Sequence, residues 1–166
     1  MKSDPLITYR RKPASLDLAS LESFAEVLQT RVACGREFHC RITGDDDLHR
    51  LNRQFRGKDY PTDVLSFPAT NAGETACATT SQVGQAFSLP AGDSIGDIAI
   101  SLNRARAQAR EWKHSTEDEI RILILHGLLH LTGYDHEIDT GEMKRTEMRW
   151  RKKLGLPVGL IERTAQ

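Results

Sequence analysis

The chain has 166 residues, of which 28% are charged and 39% hydrophobic, and this balance is typical of a folded globular protein rather than a disordered one. The formal net charge is zero, which argues against a surface that attracts nucleic acid as a whole. No apolar run approaches the roughly 20 residues of a membrane-spanning helix, and residues 1–5 lack the apolar core of a signal peptide. The length predicts one domain over residues 1–166, with no membrane partner.

Three cysteines, Cys34, Cys40 and Cys77, are odd in number and form no CxxC pair. A disulfide framework is therefore not expected, and the composition predicts a protein of the reducing cytoplasm. Thiolate metal sites usually show tighter paired spacing, so we assign no metal to the cysteines.

The first part of the chain alternates between strand and helix patterns. Apolar residues at steps of three and four predict an amphipathic helix with Ser15 or Asp17 as its N-cap, and strict alternation of apolar residues predicts a half-buried strand. Gly44 and the aspartates after it open a second helix, where the helix dipole accounts for the acids without a metal. The predicted elements are a strand over 7–10, a helix over 17–33, a strand over 37–43 and a helix over 45–55.

The middle of the chain contains a polar turn and an unusual loop. Residues 69–94 are poor in large apolar side chains, which favours an exposed, mobile loop with a short hairpin around residues 82–89. The flanking segments have strand character. The predicted elements are a turn over 56–63 and strands over 64–67 and 95–101.

Three helices are predicted in the remaining part, over 102–112, 115–131 and 139–154. Two overlapping capping boxes, Ser115 with Asp118 and Thr116 with Glu119, begin the second of them, which is apolar nearly all round and is therefore expected to be central and buried. The third begins with a capping box completed by Glu142 and a hydrophobic staple between Ile138 and Met143. This order predicts an α+β fold in which helices flank a small mixed sheet.

Three of the six histidines lie in residues 125–136. His126 and His130 are four residues apart and so share one helix face, and a turn at Gly133 would bring His136 towards them. Three imidazoles buried in an apolar run leave polar nitrogens without partners unless a cation binds them. The pattern predicts one Zn²⁺ ion with a coordination position left open for water or a substrate oxygen.

The spacing His-x3-His-x5-His is like that of the zincin peptidases, which carry a glutamate directly after the first histidine as general base. Gly127 occupies that position here. A peptidase would therefore lack its base. A glycine at this point is expected where backbone or substrate must come close.

Basic residues form three clusters, and each is first interpreted as a solvated helix face. They would become a phosphate-binding surface only if the fold brought them to one side of the metal. The clusters are Arg50, Arg53, Arg56 and Lys58; Arg104, Arg106 and Arg110; and Arg149, Arg151, Lys152 and Lys153.

Residues 126–136 read His-Gly-x-Leu-His-Leu-x-Gly-Tyr-Asp-His, which resembles the signature of the YbeY family of bacterial metal-dependent endoribonucleases. Two further stretches match in order and spacing: Asn-Arg-x-Phe-Arg-Gly-Lys-Asp at 52–59, followed by Pro-Thr-Asp-Val-Leu-Ser-Phe-Pro at 61–68, and Gly-Asp-Ile-x-Ile-Ser at 96–101. The resemblance covers most of residues 45–150. The loop over 69–94 departs from it by being longer and more polar.

The resemblance implies that His126, His130 and His136 bind zinc and that Arg56 is a catalytic residue contacting RNA. An arginine suits that role because it stays charged and forks onto phosphate. Asp135 and Asp97 are candidates to orient the ligands, and Asp135 has the alternative of capping a turn. The implied substrate is a ribosomal RNA precursor, with small ribosomal subunit proteins as further partners and no DNA.

The leading hypothesis is a single-strand-specific, zinc-dependent endoribonuclease that processes ribosomal RNA, including the small-subunit 3′ end, and acts in ribosome quality control. No general base stands out, so activation of water falls to the metal. One alternative is a non-catalytic ribosome-assembly factor with a structural zinc, although structural sites normally have four protein ligands. Another is a metal-dependent hydrolase of a different substrate.

Overall fold

A computed structural model describes residues 4–69 and 94–164 of the chain. The predicted loop over 69–94, with its hairpin around 82–89, therefore lies outside the described residues except at its two ends. Within the described ranges the elements are β1 (Ile7–Tyr9), α1 (Leu18–Arg31), β2 (Glu37–Thr43), α2 (Asp45–Arg56), β3 (Val64–Pro68), β4 (Ser94–Ser101), α3 (Leu102–Glu111), α4 (Thr116–Leu131), α5 (Glu142–Leu154) and α6 (Leu160–Thr164).

The four described strands form one mixed sheet in the order β1-β2-β4-β3. The pairs β1–β2 and β2–β4 are parallel, whereas β3 runs antiparallel to β4 at the edge. Ile98 lies opposite Cys40 on one side and Ser66 on the other, so these three side chains point to the same face.

Helices cover both faces of this sheet. Alternate strand residues, such as Ile98 and Ile100 on β4, pack in a large core together with α1 and α4. The residues between them, such as Ala99, pack in a smaller core with Leu48 and Leu51 of α2. The prediction of an α+β fold with helices around a small mixed sheet is confirmed.

Helix α4 is the buried centre of the large core, as its apolar pattern predicts. It packs against β3, β4, α1, α3, α5 and α6. Its partners therefore surround it, and its polar residues must find their contacts inside the protein. The buried residues are Glu119, Ile120, Ile122, Leu123, Ile124, Leu125, His126, Gly127, Leu128, Leu129 and Leu131.

The helix starts agree only in part with the predicted caps. Asp17 accepts a hydrogen bond from the backbone N–H of Ser20, and Ser115 accepts one from Asp118, so these two N-caps are confirmed. The predicted box of Thr116 and Glu119 is wrong, because Glu119 is fully buried and binds other side chains.

The predicted start of the last long helix is also wrong. Helix α5 begins at Glu142 after Gly141, whose φ of 95° is left-handed, and the carboxylate of Asp139 accepts the backbone N–H groups of Gly141 and Met143. The staple does not form, because Ile138 is 65% exposed while Met143 is buried. Helix α6, which follows the last predicted helix over 139–154, was not predicted.

None of the helices within the described ranges is long and apolar enough to cross a membrane.

Candidate metal centre

The three predicted histidines converge at the C-terminal end of α4. One ligand nitrogen from each of His126, His130 and His136 lies within 4.8 Å of the other two. The ring centroids are separated by 4.9, 5.3 and 5.2 Å, and no pair of rings stacks face to face. In the part of the chain that the structure describes, this is the group of side chains that can hold a metal ion.

The end of α4 turns the chain so that the third histidine approaches the other two. Gly133 has a φ of 106°, and the backbone N–H groups of Gly133 and Tyr134 donate to the carbonyls of His130 and Leu129. These two bonds are those of a Schellman motif, in which a glycine in left-handed conformation ends a helix. The predicted role of Gly133 follows from this geometry.

Asp135 holds the turn that carries His136. Its carboxylate accepts the backbone N–H of Glu137, and its carbonyl accepts those of Ile138 and Asp139. These contacts are the turn cap that the sequence allows for this residue. Its negative charge also acts to raise the pKa of His130, but burial and the two neighbouring histidines lower that pKa by more.

His126 is oriented by a residue that the sequence reasoning missed. The Nδ1 atom of His126 lies 3.0 Å from Oε1 of Glu147 on α5, and both residues are buried. A carboxylate accepts hydrogen bonds, so Nδ1 is the protonated nitrogen and Nε2 keeps its lone pair for a metal. A ligand histidine in zinc sites commonly donates its second ring N–H in this way.

The helical spacing of α5 contains a signal for this residue. Met143, Glu147, Trp150 and Leu154 recur at steps of four and three, and they form the inward face of the helix. A glutamate on that apolar face must find a buried partner. The sequence thus identifies Glu147 as unusual, but it does not identify the helix that faces it.

The electrostatic environment keeps His130 neutral. Burial is the largest cause, and together with the neighbouring His126 and His136 it lowers the pKa of His130 to about 4. A neutral imidazole is the form that binds a metal, so His130 is ready to coordinate at neutral pH.

The burial of the three ligands is graded. His126 is buried, His130 is intermediate and His136 is exposed. A metal held between them would be anchored on the protein side and open on the side of His136. Three imidazole nitrogens in this arrangement, with the tautomer of His126 set by Glu147, fit a divalent transition metal such as zinc.

Gly127 faces the sheet rather than the histidine cluster. A Cβ atom built there would lie 2.9 Å from Cγ2 of Ile98 and 3.1 Å from Oγ of Ser66. The Ser66 hydroxyl also donates to the carbonyl of Gly127 at 3.0 Å. The glycine therefore allows close approach of helix backbone to sheet, and a glutamate at this position would have no room.

Arg56 and Asp97 are not brought into contact with the histidines. Arg56 is exposed at the end of α2, and its side chain makes no hydrogen bond or ion pair with another described residue. Asp97 lies opposite Phe67 on the α2 side of the sheet, 3.9 Å from Nδ1 of His39, and burial raises the pKa of its carboxyl. Their predicted roles stay predictions.

Two of the basic clusters lie on helices that pack on different faces of the sheet. Helix α2, with Arg50, Arg53 and Arg56, packs on the face opposite α4. Helix α5, with Arg149 and the basic residues after it, packs against α4 itself. A phosphate-binding surface shared by these clusters stays a prediction.

The chain is similar to proteins of one family. The family model described as Endoribonuclease YbeY matches residues 9–155. A relative named Endoribonuclease YbeY from Solibacter usitatus is 54% identical over 95% of this chain and 92% of its own length. A relative of the same name from Koribacter versatilis is 42% identical over 97% and 93% of the two chains.

Among solved structures, the chain is similar to the solution structure of TM1509 from Thermotoga maritima. The TM-score is 0.52 at 28% sequence identity, over 89% of this chain and 88% of that one. The likeness extends over most of both chains, and it therefore supports the fold described above.

Proposed function

The chain belongs to the YbeY family, and from that membership and the histidine centre we propose that it is a zinc-dependent endoribonuclease that cleaves single-stranded ribosomal RNA precursors. The proposed work includes maturation of the 3′ end of small-subunit ribosomal RNA and ribosome quality control. The observation that carries the metal dependence is the convergence of three histidine nitrogens within 4.8 Å, buried on one side and exposed on the other.

The site residues have distinct roles in the proposed reaction. His126, His130 and His136 hold the ion, and Glu147 sets the tautomer of the first. When bound, zinc supplies Lewis acidity at a phosphoryl oxygen. Arg56 binds an RNA phosphate as a catalytic residue, and its exposed guanidinium, without a described protein partner, is free to do so.

We further propose that residues 1–166 act as one domain in the cytoplasm, with small ribosomal subunit proteins as partners and without DNA. The family match over residues 9–155 supports the single domain, because it covers both sheet faces and the histidine centre.

A cleavage assay on a labelled ribosomal RNA precursor tests the activity. We expect the zinc-loaded chain to cleave and His130→Ala to lose at least about a hundredfold in rate, because one of three ligands is removed. His49→Ala is the matched control, since His49 is a partly exposed histidine on α2 whose side chain pairs with the exposed Asp59. Equal rates for His130→Ala and His49→Ala would refute the assignment of the activity to this site.

The assembly-factor alternative predicts a different response to chelation. A structural zinc is needed for folding, so its removal would lower the melting temperature greatly. We expect only a modest loss, because α4 is held by apolar packing over most of residues 119–131. Loss of cleavage with little loss of melting temperature would favour the enzyme.

The peptidase alternative is disfavoured by the geometry of position 127, which faces Ile98 and Ser66 rather than the histidines. Cleavage of peptides without cleavage of RNA would restore it.

A further inference from the structure

We propose that Glu147 is a positioning residue of the metal centre and that helix α6 completes its binding pocket, so that the C-terminal segment is a working part of the site. The inference rests on the proposed metal binding by the three histidines. It adds α5 and α6, which supply no metal ligand, to a site that otherwise consists of α4 and the turn after it.

The two carboxylate oxygens of Glu147 accept hydrogen bonds from two different helices. Oε1 lies 3.0 Å from Nδ1 of His126, and Oε2 accepts the backbone N–H of Ile161 at 3.0 Å. The residue is 1% exposed, so water does not replace either partner. Two bonds from opposite sides fix the plane of the carboxylate, and that plane in turn fixes the orientation of the His126 ring.

Among the described residues, the carboxylate of Glu147 pairs with a histidine and not with an arginine or a lysine. A buried carboxylate is costly without a positive partner. The ion-pair partner of Glu147 among the described residues is His126, a group that carries charge only when protonated. With its Nδ1–H donated to this carboxylate, His126 has Nε2 as the ring nitrogen left to face a ligand.

A second buried glutamate in the same protein shows what a structural carboxylate looks like here. Glu119 is 0% exposed and is held by the guanidinium of Arg163 through two hydrogen bonds of 2.8 and 2.9 Å. Its charge is thus compensated by a permanent cation of the protein. Glu147 has no arginine or lysine within ion-pair distance in the described ranges. Glu119 thus has its charge balanced by an arginine, whereas Glu147 is hydrogen-bonded to a predicted metal ligand.

Helix α6 is shaped around Glu147. A Cβ atom at Gly159 would lie 3.0 Å from Oε2 and 3.1 Å from Cδ of Glu147, so the glycine leaves room for the carboxylate. A five-residue helix is not stable alone, and its place depends on anchors. Arg163 provides them by binding Glu119 on α4 and the carbonyl of Val158.

The first test is the Zn²⁺ affinity of the full chain, measured by competition with a chromogenic chelator. Glu147→Gln keeps the size of the side chain but leaves one acceptor oxygen for two donors. We expect a ~10–100-fold weaker affinity, the usual cost of removing such a partner of a ligand. The visible absorption bands of the Co²⁺-loaded protein should shift as well, since the geometry around His126 changes.

Leu48→Ala is the control for this variant. It removes a fully buried side chain on the other face of the sheet and lowers the melting temperature without touching the site. We expect it to keep wild-type Zn²⁺ affinity and Co²⁺ bands. If Glu147→Gln binds Zn²⁺ within twofold of the wild type, the positioning role is refuted.

A second pair of variants tests α6 even if Glu147→Gln does not fold. Gly159→Ala pushes a methyl group against the carboxylate and should weaken Zn²⁺ binding several-fold. Gly44→Ala, where the new Cβ meets only Asn103 at 3.7 Å, should leave the affinity unchanged. Equal affinities for these two variants would refute the role of α6.

The outcomes also separate this inference from the proposed function. A wild-type chain that binds no Zn²⁺ would overturn the metal dependence and the positioning role together. A wild-type chain that binds Zn²⁺ as tightly as its Glu147 and Gly159 variants overturns only the positioning role.

Discussion

Replacing Gly127 by alanine adds one methyl group, which has two opposing effects on the free energy of unfolding. In a helix interior, alanine is more favourable than glycine by about 1 kcal/mol. Against this, the new Cβ would lie 2.9 Å from Cγ2 and 3.2 Å from Cδ1 of Ile98, and 3.1 Å from Oγ of Ser66. Unstrained carbon contacts need about 3.5–4.0 Å, so α4 must move away from the sheet.

The steric effect should win. Ile98 is 1% exposed and β-branched, and both of its branches obstruct the methyl group, so a change of rotamer gives little relief. Overpacking of this kind costs about 1–3 kcal/mol, and lengthening the bond from Ser66 to the Gly127 carbonyl costs about 1 kcal/mol more. After the helix gain is subtracted, we expect a net loss of about 2 kcal/mol.

Urea unfolding and differential scanning calorimetry measure this loss. For a chain of this size, 2 kcal/mol corresponds to a fall of roughly 4–8 °C in melting temperature. A double-mutant cycle with Ile98→Ala identifies the cause, because that background removes the two obstructing atoms of Ile98 and leaves only Oγ of Ser66 at 3.1 Å. Gly127→Ala should therefore cost much less there than in the native background.

A Gly127→Ala protein more stable than the wild type would refute the steric explanation. An equal cost of the substitution in the Ile98→Ala background and in the native one would refute it as well.

Three further predictions concern stability, protonation and reactivity. Arg163→Met should destabilise the protein by about 3 kcal/mol in urea unfolding, because it leaves the buried Glu119 carboxylate without its guanidinium and with His114 as its remaining partner, and a loss below about 1 kcal/mol would contradict this account of the pair. In the metal-free protein the pKa of His130 is about 4, whereas it is about 6.5 in the unfolded chain. Between these two pH values only the unfolded chain binds the proton. The free energy of unfolding should therefore fall as the pH falls from about 6.5 towards 4. His130→Ala should flatten that slope, and an unchanged slope would assign it to other groups. Cys34 is exposed and should react with a thiol reagent in the native protein, whereas Cys40 is buried with a raised thiol pKa and should react only after unfolding, as peptide mapping would show.

The sequence alone determined the features that arise from short-range periodicity. Alternation placed β2 at Glu37–Thr43, and steps of three and four located α1, α2, α3 and α4 to within two or three residues. The same local rules brought two histidines to one face of α4 and the third around a glycine turn, because both distances are spanned by a few residues of regular backbone.

The predictions that failed share a physical reason. Glu119 and Ile138 were interpreted from helix-start patterns that are locally valid. Glu119 instead binds Arg163, which is 44 residues away, and Ile138 remains exposed at the surface. In both cases tertiary packing decides the outcome: the ion pair of Glu119 outweighs a cap worth about 1 kcal/mol, and Met143 is buried in the large core while Ile138 stays at the surface.

Only the tertiary structure decided which groups surround the metal centre. Glu147 lies 21 residues from His126, and Ile161 lies 14 residues beyond Glu147, so no local pattern relates the three. Gly127 was expected to allow a close approach, but its partner became evident only when Ile98 and Ser66 were placed beneath it. Ligand spacing is a property of one helix and its turn, whereas the orientation and protonation of a ligand depend on the side chains that the fold packs against it.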